Sequence, residues 1–285
     1  MRHRDSPFTP SASDTIVTPN ELALALRSGR PVFGTLTVST SPRYPEILKG
    51  TGVDFVFIDT EHTAIDRIPL SWMCQTYNAL GIPPIVRIPA PDPYAATMVL
   101  DGGAAGVIAP YVESAQQVRD LVGAVKYRPI RGKRLDAMLA GEPIEEDLKQ
   151  YMNDAASNRL VIVNTESVPA MNVLEEIVQV PGLDSVLIGP HDLTCSLGIP
   201  EQWDHPLFLS ACEKIFRTAR AAGVGAGIHY WGSLDEQVRM FELGANMLVH
   251  AADYMLFRKH LRLDLDEIKR RLGIQSNSAA NNTVV

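Results

Sequence analysis

The stretch DFVFIDTEH, residues 54–62, joins four apolar residues, Phe55 to Ile58, to a polar end of Asp59, Thr60, Glu61 and His62. An uninterrupted apolar run of this length, rich in aromatic and β-branched residues, reads as a strand buried on both faces. Acids and a histidine are costly to bury unless they are paired or put to use. The polar end is therefore either a surface turn or part of a site.

Working outward, seven further runs of the same character recur: PVFGTLTV (31–38), PPIVRIP (83–89), AGVIAPYV (105–112), RLVIVNTE (159–166), DSVLIGP (184–190), VGAGIHY (224–230) and NMLVHA (246–251). Helical spacing fills the intervals. Cys212, Ile215, Phe216 and Ala219 follow i, i+3, i+4, i+7 within 207–222, and Leu234, Val238 and Phe241 repeat the pattern within 234–244. Gly81, Gly102 or Gly103, Gly182, Gly223 and Gly244 stand where helices end, each shortly before the next strand. Eight βα units predict a (β/α)₈ barrel in one α/β domain over 19–273, with an open doubly wound sheet as the alternative. Residues 1–18 and 274–285, small and polar, read as disordered tails. About thirty residues, 128–157, interrupt the rhythm; a connection of that length is commonly a functional loop with a short helix of its own. Its cations Arg128, Arg131, Lys133 and Arg134 read either as a solvated face or as an anion-facing or subunit-bridging loop.

Composition narrows the function. A net charge of −7 argues against nucleic acid as the main partner. Three scattered cysteines fit a reducing compartment better than a disulfide framework. With no secretory h-region and no apolar run of membrane-spanning length, the expectation is a soluble cytoplasmic protein without a membrane partner.

In a barrel, chemistry gathers at the C-terminal ends of the strands. That rule selects Asp59, Glu61, His62, Arg87, Asn164, Glu166, Asp192, His229 and His250, while the opposite face offers nothing comparable. Glu166 and Asp192, from adjacent strands, suit a hard divalent cation such as Mg²⁺ or Mn²⁺; alternatively Asp192 caps the following helix and Glu166 pairs with a surface cation. Arg87, flanked by apolar residues, serves either a substrate oxyanion or a structural ion pair. His62 is either a general base oriented by Asp59, three residues earlier, or an ordinary satisfied histidine.

Taken together, DTEH (59–62), VRIP (86–89), PYVESAQQ (110–117), VNTES (163–167) and IGPHDLTCSLG (188–198) resemble the HpcH/HpaI aldolase family over about residues 20–271. The resemblance implies a metal-dependent, class II pyruvate-type aldolase cleaving or forming 4-hydroxy-2-oxo acids through an enolate and an aldehyde. It implies Glu166 and Asp192 as ligands of Mg²⁺ or Mn²⁺, with Co²⁺ a third option. It assigns Arg87 to the keto oxygen and enolate, His62 to the base and Asp59 to its orientation, and it places the Gly189-Pro190 turn near the substrate carboxylate. Asn164, His191, His229 and Trp231 complete the expected substrate contacts. Thr60, Asn164 and His191 depart from residues common in the family, so the acceptor half of the site looks altered. The same fold supports two rivals: a CoA-thioester lyase or oxaloacetate decarboxylase, and a non-catalytic small-acid-binding protein. The resemblance also implies a homo-oligomer, a dimer or dimer-based hexamer, in which the apolar last helix (253–271) is exchanged between subunits.

Overall fold

The computed structural model describes residues 18–156 and 159–274, so nearly all of both expected tails falls outside the described residues. The strands are β1 (Val32–Thr37), β2 (Phe55–Asp59), β3 (Pro84–Arg87), β4 (Gly106–Ala109), β5 (Leu160–Asn164), β6 (Ser185–Ile188), β7 (Gly225–Tyr230) and β8 (Met247–Ala252). All eight pair in parallel and in sequence order, and β8 returns to β1 to close a barrel. The helices that position the site are α1 (Pro19–Ser28), α2 (Tyr44–Leu48), α3 (Arg67–Ala79), α4 (Pro93–Asp101), α5 (Ala115–Lys126), α6 (Lys133–Leu139), α7 (Glu146–Ala156), α8 (Val168–Asn172), α9 (Leu174–Val178), α10 (Pro190–Ser196), α11 (Pro206–Ala221), α12 (Leu234–Glu242) and α13 (Asp253–Arg271). The interrupting segment is thus the place of α6 and α7, and two of its cations are tied to acids: Arg128 to Asp101 at 2.8 Å and Arg134 to Glu145 at 2.5 Å.

Period-two alternation divides every strand between two cores. In β2, Phe55 and Phe57 point into the barrel with Ile85, Ile108, Leu160, Ile162, Met247 and Val249. Val56 and Ile58 point outward onto the helical layer with Val86, Val107, Val161 and Val186. Both faces are dry, which is why the strands read as continuous apolar runs. Asp59 has the parity of Phe55 and Phe57, so it caps the barrel interior at the C-terminal rim. Gly34 makes room below it: a Cβ there would stand 2.5 Å from the Phe55 ring.

Two expectations are corrected. The spacing in α12 selected Leu234 and Val238 as the packed face, but these are exposed, and Gln237 and Met240 are the buried residues. Gln237 tolerates burial because its amide is satisfied: Nε2 donates to Gly232 O at 2.7 Å and Oε1 accepts from His250 Nδ1 at 2.7 Å. The N-terminal end of the barrel, expected to carry no comparable polar residues, holds an ionic cluster around the buried Asp184. Asp184 accepts from Lys126 Nζ at 2.5 Å, Arg27 Nη2 at 2.5 Å and Val161 N at 2.9 Å, tying α1, α5, β5 and β6 together on the face that serves stability.

Candidate active site

At the rim, the register pairs Asp59 of β2 with Arg87 of β3. Arg87 donates Nε to Asp59 Oδ1 and Nη2 to Asp59 Oδ2, both at 2.8 Å, a bidentate fork with little solvent access. Burial alone would raise the Asp59 carboxyl, but the hydrogen bonds and charge of Arg87 hold it below the usual range. Glu61 closes the turn: its N–H donates to Asp59 Oδ1 at 3.0 Å, and its Oε2 stands 3.1 Å from Arg87 Nε, off the N–H axis and without a hydrogen bond among the described residues. Thr60 donates Oγ to Arg87 O at 2.6 Å, so the hydroxyl clamps the ends of β2 and β3 together. Arg87 also lies over the Phe57 ring, 5.2 Å from its centroid. One edge of its guanidinium is used by Asp59. The Nη1 edge has no partner among the described residues.

Across the mouth, Glu166 is buried just beyond β5. Its Oε1 accepts from Tyr111 N at 3.0 Å and its Oε2 from Asn164 Nδ2 at 2.8 Å. Neither is a cation, so the surface-pair alternative for Glu166 is overturned. Asp192 lies in the first turn of α10, whose N-cap is Gly189, without a side-chain cap bond, so the capping alternative for Asp192 falls too. The two carboxylates converge on the space that a Gly189 side chain would fill: a Cβ there would stand 2.5 Å from Glu166 Oε2 and 3.5 Å from Asp192 Oδ2. Burial first, and then the nearby charge of Asp192, push the Glu166 carboxyl up to about 7. Asn164 Oδ1 beside it is buried with no partner. Two converging carboxylates, one strongly desolvated, with an orphaned amide oxygen alongside, fit a hard divalent cation that keeps water or substrate in its remaining positions. Among the described residues no cluster of three or more His, Cys, Asp and Glu could hold a metal on its own.

A family model described as HpcH/HpaI aldolase/citrate lyase matches residues 34–259, a span that contains each of these side chains. The chain belongs to this family. A hydroxypyruvate/pyruvate aldolase of Roseovarius nubinhibens is 32% identical over 250 residues, 86% of this chain and 95% of the relative. A 2-keto-3-deoxy-L-rhamnonate aldolase of Klebsiella pneumoniae is 31% identical over 244 residues, 85% of this chain and 90% of the relative. An HpcH/HpaI aldolase of Desulfitobacterium hafniense superposes with a TM-score of 0.75 at 27% identity, covering 87% of this chain and 96% of that one. The protein is an enzyme of the aldolase type.

The remaining expected residues of this HpcH/HpaI aldolase are placed unequally. Asp59 does not hydrogen-bond His62, because it is engaged by Arg87. His62 is 63% exposed, and its Nε2 stands 3.6 Å from Glu61 Oε1. His191 turns to the exposed side of α10, where Nδ1 faces Glu201 at 3.3 Å and Nε2 faces Cys195 Sγ at 3.9 Å, and is not drawn into the carboxylate pair. Pro190 is buried as the first residue of α10. His229 lies edge-on to Phe57 and to Trp231, with centroids 5.7 and 5.3 Å apart, so it shares the Phe57 ring with Arg87. Trp231 packs in turn on Trp203. His250 faces out of the barrel toward Gln237. Sequence reasoning missed Tyr111, whose amide holds Glu166 and whose phenol is pushed up to about 12, first by Glu61. Tyr111 adopts φ 55, a left-handed conformation rare for a non-glycine residue and without a signature in the residue type.

Proposed function

We propose that this enzyme is a divalent-metal-dependent aldolase that cleaves 4-hydroxy-2-oxo acids to a pyruvate-type 2-oxo acid and an aldehyde, and runs the reverse condensation. The observation that carries the reading is the convergence of Glu166 and Asp192 on the Gly189 gap with no cation among the described residues bonded to either. These two residues would hold Mg²⁺ or Mn²⁺, which when bound would polarise the 2-oxo group of the substrate. Arg87, locked by Asp59, offers its Nη1 edge to the charge that develops on the keto oxygen. Because its partner is already in place, no reorganisation is needed as that charge appears. His62, with Glu61 nearest its ring, moves the proton at C3 of the oxo acid. Asn164 holds the Glu166 carboxylate in register. The cationic run that a CoA thioester would require is partly neutralised, because Arg128 and Arg134 are paired with acids.

The direct test is proton NMR of pyruvate in deuterium oxide. Metal-loaded protein is expected to exchange the methyl protons, and a chelator to stop the exchange. Loss of signal at the same rate with and without protein would sink the mechanism.

The same proposal includes self-assembly through α13. Of this helix only Asp253 is buried, and Phe257, Leu261, Leu263, Leu265 and Ile268 are exposed. That apolar surface exceeds what an isolated outer helix carries. Light scattering is expected to report a multiple of 31.2 kDa; a clean monomer at micromolar concentration contradicts it. Among the described residues no helix is long and apolar enough to cross a membrane.

A further inference from the structure

Among the described residues His229 is the one imidazole set among the inward-facing groups of the barrel, and its tautomer is fixed by its partner. Nε2 lies 2.9 Å from Ala251 O. A carbonyl oxygen only accepts, so Nε2 carries the hydrogen and Nδ1 presents a lone pair. Ala251 adopts φ 50, a left-handed conformation unusual for alanine, at the residue whose carbonyl receives that bond. Burial, with the charge of Arg87 added, pushes the imidazole down to about 4, so it is neutral at pH 7. Among the described residues Nδ1 has no hydrogen-bond partner, and His229 is half-buried. Phe57 carries both Arg87 and His229 on its ring, which places this imidazole on the same end of the barrel as the proposed enolate-binding group.

We infer that His229 is a specificity-determining residue whose Nδ1 accepts a hydrogen bond from a hydroxyl carried by the acceptor aldehyde. The inference rests on the aldolase reading above. A neutral nitrogen acceptor discriminates by polarity: it rewards an O–H donor, offers nothing to a methyl group, and faces a carboxylate or phosphate with lone pair against lone pair. The reader of the acceptor is thus a neutral histidine, while the cationic groups serve the oxo-acid half.

Two substitutions separate this role from a structural one. Glutamine reaches the Nε2 position and keeps the bond to Ala251 O, but places no acceptor at Nδ1. Asparagine places its amide at Nδ1, where the oxygen restores the acceptor, and gives up Ala251. With pyruvate as donor, the readout is the ratio of kcat/KM for glycolaldehyde over acetaldehyde, measured within each variant so that general losses cancel. His229→Gln is expected to lower that ratio about tenfold, the worth of one neutral hydrogen bond, and His229→Asn to restore most of it. Thermal melts of both proteins establish that each is folded; if His229→Asn is not, the His229→Gln ratio decides alone. An unchanged ratio in His229→Gln, or loss only in His229→Asn, overturns the inference. Failure of the wild-type protein to exchange pyruvate protons would instead remove the aldolase reading beneath it.

Discussion

Arg87→Ala is expected to lower kcat for 4-hydroxy-2-oxo acid cleavage by about two to three orders of magnitude, the cost of removing one preorganised oxyanion donor. It is also expected to destabilise the fold by about 3–5 kcal/mol, because the substitution strands Asp59. The second effect follows from burial: Asp59 keeps only 4% of its side chain exposed, and both of its oxygens bond Arg87. Arg87→Lys separates the two losses. Lysine keeps the charge that Asp59 requires but cannot serve two directions with one planar fork, so stability returns in part and kcat returns less. Urea unfolding and steady-state cleavage assays on the two variants check this, and near-wild-type kcat in Arg87→Ala would remove Arg87 from the mechanism. The pair carries an acid limit as well. The Asp59 pKa is depressed in the folded state, so its stabilisation is present above the unfolded value near 4 and is lost as pH falls below it.

The barrel was legible because each strand is dry on both faces and each interval carries a helix. The expected strands each start one residue early and end up to three residues late, as at Val112 after β4, where buried apolar residues continue beyond the strand; β8 alone runs one residue past its expected end, to Ala252. Helix faces were legible where burial and hydropathy agree, as in α11, and not in α12, where a fully bonded Gln237 is buried in place of Val238. The site divides along the same line. Strand position brings Asp59, Arg87, Asn164 and His229 to the C-terminal ends of their strands, whereas His62 is exposed, His191 turns away on α10 and His250 faces out of the barrel. The partnerships were not legible, because a sequence shows Asp59 beside His62, whereas the β2–β3 register brings Arg87, twenty-eight residues away, against it. Tyr111 was missed for a related reason: its contribution to Glu166 is a backbone N–H aimed by an unusual φ, and no side-chain type announces that.

Glu166→Gln is expected to weaken Mn²⁺ binding by at least about 100-fold, beyond the 10–100-fold typical for groups that merely support a ligand. Calorimetric titration measures it. Gly189→Ala tests the same centre without removing a charge. Its Cβ would sit 2.5 Å from Glu166 Oε2, closer than real contacts permit, so the carboxylate is displaced from Asp192 and affinity falls while both acids remain. Retained affinity in both variants would place the metal elsewhere. The pH dependence of the metal-free protein gives an independent check. Glu166 rises to about 7 in the folded state, so between the ordinary glutamate pKa and 7 the folded chain binds more protons than the unfolded one. Stability then falls as pH rises through that window, by roughly 3 kcal/mol from this group. Glu166→Gln is expected to flatten the slope. A saturating divalent cation is expected to reverse the penalty most strongly above pH 7, because there the carboxylate that the fold desolvates is already ionised and needs only the cation. A metal-free melting temperature that climbs from pH 5 to pH 8 and is unaffected by Glu166→Gln would mean that this carboxylate is solvated or paired by another group, and the two-carboxylate site would lose its physical basis.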